Sequence, residues 1–223
     1  MAVITISREL GSNGDRIADL LCEELGYCRV DKAMLTHIAQ EAGVDTDAIL
    51  DVEQSFSKRA RLVSGEMTSL YRKQTSVFEK ARPVDDVTYA QVVRETMEEF
   101  ARAGNALIIG RGGQMVLRDW SNTLHVRLFA SLDVRARRLM EQENITEAEA
   151  RRRIGASDEK RRQYIRRVHN NADWRNLKYY DLAIDTSRIT PEIAAQMIMA
   201  AAKAIDERQK LAEEEISQFA TCA

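Results

Sequence analysis

Arginines set beside glycine-rich turns are the residues of this chain best suited to chemistry. Arg8 precedes Gly11, Ser12, Asn13 and Gly14, and Asp15 and Arg16 follow at once. Arg111 sits inside a second glycine turn, Gly110 to Gly113. In residues 151–178, ten are Lys or Arg, Arg161 and Arg162 among them, against only Asp158, Glu159 and Asp173. All three features suit a polyanion. Small residues let backbone N–H groups close around an oxyanion, and a guanidinium fork takes a phosphate bidentately. Charge neutralisation and positioning are most of what phosphoryl transfer asks of a protein.

The first loop departs from the pattern G-x-x-x-x-G-K-[ST], which places a lysine at the β/γ-phosphates and a hydroxyl at Mg²⁺. Gly14 stands where the lysine is expected, followed by Asp15 and Arg16. A charge about 4 Å from a phosphate oxygen is worth roughly 4 kcal/mol at an effective dielectric near 20. Its unreplaced loss would cost around three orders of magnitude in binding or turnover. Arg8 and Arg16 bracket the gap, and either is a candidate to fill it. A ligand-free strand–helix turn is the competing reading of the loop, and a solvated helix face or a nucleic-acid patch that of the basic stretch, where Tyr164 and Trp174 accompany the charges.

These groups need a frame. Val3, Ile4 and Ile6 read as a buried parallel strand, and Ile17, Ala18, Leu20, Leu21 and Leu25 as the helix after the loop. Gly26 predicts the helix end and Tyr27–Val30 a second strand, with Asp31 either capping the next helix or standing as a carboxylate at a strand end. Ala106–Ile109, Leu124–Ala130 and Tyr180–Thr186 predict three more strands. His125 and Arg127 alternate with apolar residues, so one face of the fourth strand is expected to be less buried. Residues 45–103 read as helical, with a long helix ending at Gly104. Ser131 predicts one helix start, Thr146 with Glu149 a capping box, and Thr190–Pro191 the final helix.

The composition narrows the function classes. A formal charge of −2 argues against a general nucleic-acid binder. No apolar run approaches the roughly 20 residues needed to cross a membrane. Three cysteines without metal-ligand spacing point to the cytoplasm and to no bound metal.

Together these pieces resemble the cytidylate kinase-like branch of the nucleoside monophosphate kinases. VITIS before the loop is similar to the VITID opening of bacterial cytidylate kinases, and Tyr27–Asp31 to their second strand and its aspartate. Gly110–Arg111 matches the start of their Gly-Arg-Asp signature, and DLAIDTS their closing strand. The loop also fits an SRE-x-GS-x-G form, and Asp158, Arg161 and Tyr164 a D-x-x-R-x-x-Y lid. Two departures stand out: Gly14 replaces the lysine, and Gly112 the signature aspartate, which puts cytosine preference in doubt.

The resemblance implies a three-layer P-loop NTPase-like α/β fold, with a five-stranded parallel sheet and helices on both faces. Within one domain, 1–223, it implies a helical insertion at 45–103 and a basic lid at 151–178. It implies ATP and Mg²⁺ as cofactors and a small phosphate-bearing acceptor. Arg8 and Gly11–Arg16 (Gly11, Ser12, Asn13, Gly14, Asp15, Arg16) then hold the donor phosphates. Arg111 grips the acceptor phosphate near Asp31, and Arg161 and Arg162, oriented by Asp158, neutralise the transferring group. The insertion reads either as a substrate cover or as a dimerisation element, so a homo-oligomer stays open. So does the alternative of a nucleotide-binding regulatory protein with weak or no transfer activity.

Overall fold

The computed structural model describes residues 1–41 and 86–221. The chain divides into two compact units, Met1–Val30 with Met97–Ala223, and Asp31–Thr96. Most of the expected insertion, residues 45–85, lies outside the described residues.

The first unit is built on a parallel sheet of β1 (Val3–Arg8), β2 (Cys28–Val30), β3 (Ala106–Ile109), β4 (Thr123–Phe129) and β5 (Leu182–Asp185), in the order β2-β3-β1-β4-β5. β1 is central, with Ile6 opposite Ile109 on one side and Val126 on the other. Strand order reverses around it, and open α/β sheets place ligands beyond the carboxyl ends of strands at such a point. Helix α1 (Gly14–Leu25) follows β1, and α7 (Pro191–Thr221) closes the chain. Ile17, Ala18 and Leu21 of α1 and Ala194, Ala195 and Ile198 of α7 pack with Ile4, Ile6, Leu107, Val126 and Ile184 into one core on one face of the sheet. On the opposite face the short helix α4 (Gly113–Val116) comes so near that a Cβ on Gly113 would lie 3.1 Å from Ile108 and 3.5 Å from Thr5. Apolar residues on both sides of β1 and β3 are what a sheet covered on both faces requires. The fold is the expected three-layer α/β architecture.

Local signals hold wherever they are described. Gly26 ends α1 in the left-handed conformation, φ 65°. Ser131 caps α5 (Leu132–Glu143). Thr146 accepts from the Glu149 N–H to start α6 (Glu147–Val168), and Thr190 accepts from the Ile193 N–H at 3.4 Å. β5 begins two residues later than expected, because Leu177–Tyr179 form a 3₁₀ turn that uses Tyr180 as its C-cap.

The fourth strand departs from expectation. His125 and Arg127 are both buried, with only 6 % of each exposed. His125 shares a 2.8 Å hydrogen bond between Nδ1 and Thr5 Oγ1, while Arg127 is neutralised by Glu9. Partners from β1 and the loop after it, not an open face, account for the polar alternation.

Of the second unit, the structure describes α2 (Lys32–Glu41) and the first part of α3 (Asp86–Ala103). Asp31 caps α2: its carboxylate accepts from the Met34 N–H at 3.1 Å and its carbonyl from the Leu35 N–H.

A candidate phosphate site at the carboxyl end of the sheet

The chain between β1 and α1 makes a tight loop whose carbonyl groups are all tied back into the protein. The Glu9 carbonyl accepts from the Ser12 N–H (3.1 Å) and hydroxyl (2.7 Å). Arg135 Nε donates to Leu10 O at 2.7 Å, Arg138 Nη1 to Gly11 O at 3.2 Å, and Thr186 Oγ1 to Ser12 O at 3.0 Å. With these acceptors engaged, and the Glu9 and Ser12 N–H groups donating to Leu128 O and Glu9 O, the loop has its remaining N–H groups as the polar backbone atoms to offer an anion. Asn13, the N-cap of α1, is left-handed (φ 58°) and makes no side-chain cap. The first-turn N–H groups of α1 are therefore available to a ligand. Gly11 is required twice over: its φ is +81°, and a Cβ would fall 2.8 Å from the Arg135 carbonyl.

Behind the loop lies a buried ion network. Glu9 receives Arg127 Nη2 at 3.0 Å and Arg135 Nη1 at 3.1 Å. Arg135 also takes Asp158 of α6 bidentately, at 2.9 and 3.0 Å. Arg127 donates to the Trp174 carbonyl at 3.0 Å and stacks 4.7 Å from its ring. Two carboxylates thus neutralise two buried guanidinium groups, as burial of charge demands.

Three further arginines stand at the mouth. Arg8 lies across Gly14 and pairs with Asp15 at 3.2 Å. Arg111 is buried, holds a left-handed backbone (φ 52°) between two left-handed glycines, and stacks 4.7 Å from the Tyr164 ring. Such a backbone costs an arginine about 1–2 kcal/mol, and strain of this kind gathers at ligand sites. Arg161, one turn before Tyr164, pairs with Asp158 at 3.4 Å and stacks 5.0 Å from Trp174. Burial, reinforced by the charge of Arg8, pushes Arg161 down to about 10, still cationic at neutral pH. Cations held close enough to depress one another are relieved by an anion.

Several expected residues therefore come together: Arg8, the Gly11–Gly14 loop, Arg111, Asp158 and Arg161. Others do not. Arg162 points to Glu159 at 2.7 Å with half its side chain exposed, because neighbouring helical residues lie about 100° apart. Arg16 reaches toward Glu192 at 4.0 Å, also exposed. Asp15 is held by Arg8 and Arg29; partial desolvation raises its pKa, and the two arginines outweigh that and lower it. Asp31 belongs to the second unit. Glu9, Arg127, Arg135, Arg138 and Thr186 were not singled out from sequence as site residues. Glu9 carries a signal as the acidic residue of the SRE-x-GS-x-G form, and Arg127 as a charge inside an otherwise apolar strand.

The cradle fits a nucleotide's phosphate tail. Among the described residues, no group of three or more His, Cys, Asp or Glu side chains fits a metal ion. Mg²⁺ carried by phosphates needs only one or two protein carboxylates, and Asp15 stands where the pattern has its hydroxyl. His169 closes on Gly112: a Cβ there would lie 2.2 Å from His169 Nε2, so the imidazole fills the space of the missing signature aspartate.

A central β1, a pinned loop after it and arginines from the turn after β3 and from α6 make a three-layer α/β fold with cations gathered at the carboxyl end of its sheet. The sequence profile of the cytidylate kinase-like family matches residues 3–188, and the chain belongs to that family. A protein named cytidylate kinase from Methanopyrus kandleri is 28 % identical over 208 residues, 93 % of this chain and 96 % of its own. A second of that name, from Methanothrix thermoacetophila, is 28 % identical over 206 residues, covering 91 % and 99 %. An uncharacterised protein from Eubacterium ventriosum shares the fold at a TM-score of 0.66 and 19 % identity, covering 91 % of this chain and 99 % of its own. No described helix is long and apolar enough to cross a membrane.

Proposed function

We propose that this protein transfers the γ-phosphoryl group of ATP to the phosphate of a nucleoside monophosphate, cytidylate-like, or of a related small phosphate-bearing acceptor. The observation that carries the reading is the loop with all its carbonyls turned inward, faced by Arg8, Arg111 and Arg161. The two relatives named cytidylate kinases support a nucleotide acceptor. Gly112, with His169 against it, stands where the signature of bacterial cytidylate kinases has an aspartate, which argues for a different base recognition from that signature's.

In this reading the loop N–H groups and the α1 N-terminus hold the donor phosphates. Arg111 grips the acceptor phosphate, its fork fixed by the glycine turn and the Tyr164 ring. Arg161, braced by Asp158, neutralises charge building on the transferring group. Bound with ATP, Mg²⁺ supplies further neutralisation of the phosphate oxygens. Residues 151–178 act as a lid that excludes water, since hydrolysis is the competing outcome, and residues 45–103 serve the acceptor side.

A panel of nucleoside monophosphates with ATP and Mg²⁺, read as ADP release over a no-acceptor blank, tests the reaction. Arg111→Ala should raise the acceptor KM or lower kcat strongly while leaving ATP binding nearly intact. Equal loss of ATP binding would count against the role of Arg111. A second reading, favoured by Gly14 in the lysine position, is a regulatory nucleotide binder, which shows ATP affinity without transfer to any acceptor.

A further inference from the structure

We propose that the phosphate loop has exchanged its cation and its small residue between its two ends. Arg8, at the end of β1, supplies the charge that the common pattern takes from lysine, and residue 14 is glycine so that Arg8 can lie across it. This rests on the reading of the loop as a nucleoside triphosphate site. In the frame G-x-x-x-x-G-K-[ST], Arg8 occupies the first glycine position, Asn13 the second, and Gly14 that of the lysine. Asn13 keeps the left-handed backbone expected of a glycine there, φ 58°; asparagine is among the side-chain-bearing residues that adopt it most readily.

The contacts tie the two ends together. A Cβ built on Gly14 would lie 2.6 Å from Arg8 Cβ and 2.9 Å from its Cγ and Cδ. No side chain fits at residue 14 while Arg8 keeps this path, and the obstructing atoms are the root of Arg8, not its flexible tip. Beyond Gly14 the guanidinium runs to Asp15, 3.2 Å from Nη2, and Nη1 comes within 3.5 Å of where a Gly110 Cβ would be. It therefore stands between the start of α1 and the turn that carries Arg111. Arg16, the other arginine near the gap, turns to Glu192 with its side chain mostly in solvent. The exchange replaces a point-like ammonium with a planar fork able to bridge two phosphate oxygens.

The test is equilibrium titration of ATP and of adenosine into the full chain, for wild type, Arg8→Ala, Arg8→Lys, Arg8→Gly and the double variant Arg8→Gly/Gly14→Lys. Arg8→Ala should weaken ATP by about a hundredfold to a thousandfold and leave adenosine unchanged. Arg8→Lys, which keeps the charge, should lose much less. The double variant, which restores the first glycine and the lysine of the common pattern, should bind ATP at least tenfold tighter than Arg8→Gly alone. Wild-type affinity in Arg8→Ala, or equal loss for ATP and adenosine, overturns the exchange while the nucleotide site stands. A double variant that folds and binds no better than Arg8→Gly overturns it too; should the double variant not fold, the Arg8→Ala comparison decides. A wild-type chain that binds no nucleoside triphosphate removes the site and the exchange together.

Discussion

Replacing Glu9 by Gln should be among the most damaging single changes in the sheet unit, although it alters one charge and almost no volume. The Glu9 carboxylate joins Arg127 and Arg135, and the three side chains are 8 %, 7 % and 5 % exposed. The amide can accept from one of them and presents its NH₂ to the other, leaving a buried cation short of a counter-charge. Breaking one partner from a buried pair costs about 3–5 kcal/mol. For a chain of this size each kcal/mol moves Tm by roughly 2–4 °C, so the transition should fall by about 10 °C. Circular dichroism melts of wild type and Glu9→Gln at neutral pH measure this. A double variant with Arg127→Gln should recover part of the loss, because contacting groups are not additive. A Tm within about 2 °C of wild type would refute the argument that this network is dry enough for charge to matter.

Other outcomes follow from the same geometry. Gly11 and Gly26 are both left-handed, at +81° and +65°, but a Cβ meets the Arg135 carbonyl at 2.8 Å in the first and nothing within 4 Å in the second. Gly26→Ala should therefore cost about 1 kcal/mol of backbone strain, and Gly11→Ala about 3 kcal/mol with overpacking added; equal urea midpoints would contradict this. Burial lowers the pKa of His125, outweighing the opposing influence of Asp181 and a hydrogen bond at the Leu117 backbone. The unfolded chain then takes up the proton first as pH falls, so this contribution is complete above the ordinary imidazole value near 6.5 and is lost through the lowered folded value. Urea midpoints at pH 7.5 and 5.0 should separate more in wild type than in His125→Gln, and identical slopes would defeat the assignment.

What the sequence made legible was local. Gly26, Ser131, Thr146 and Thr190 act within one turn of their own helix, so spacing alone reveals them. The β-branched runs gave the strands for the same reason, and Gly110–Arg111 could be placed because strand, glycine and arginine are neighbours. The ion network was hidden because its partners are joined only by the sheet: Glu9 meets Arg127 and Arg135 across more than a hundred residues. Arg127 reads in sequence as the polar half of an alternating strand, while Glu9 and Trp174 cover it in the fold. Arg16 and Arg162 stand apart from the cluster for the converse reason. Each is next to the right segment in sequence, but the helical twist turns it to a different side.

The four inward-bound carbonyls after β1 have a bearing on how fast the protein can work. Because the surrounding scaffold already grips that segment, its shape is settled during folding, and a guest need not freeze a floppy strand of chain on arrival. Capture then spends little conformational entropy, and whatever slow step limits turnover should be sought in the long helix bearing Arg161 or in product escape.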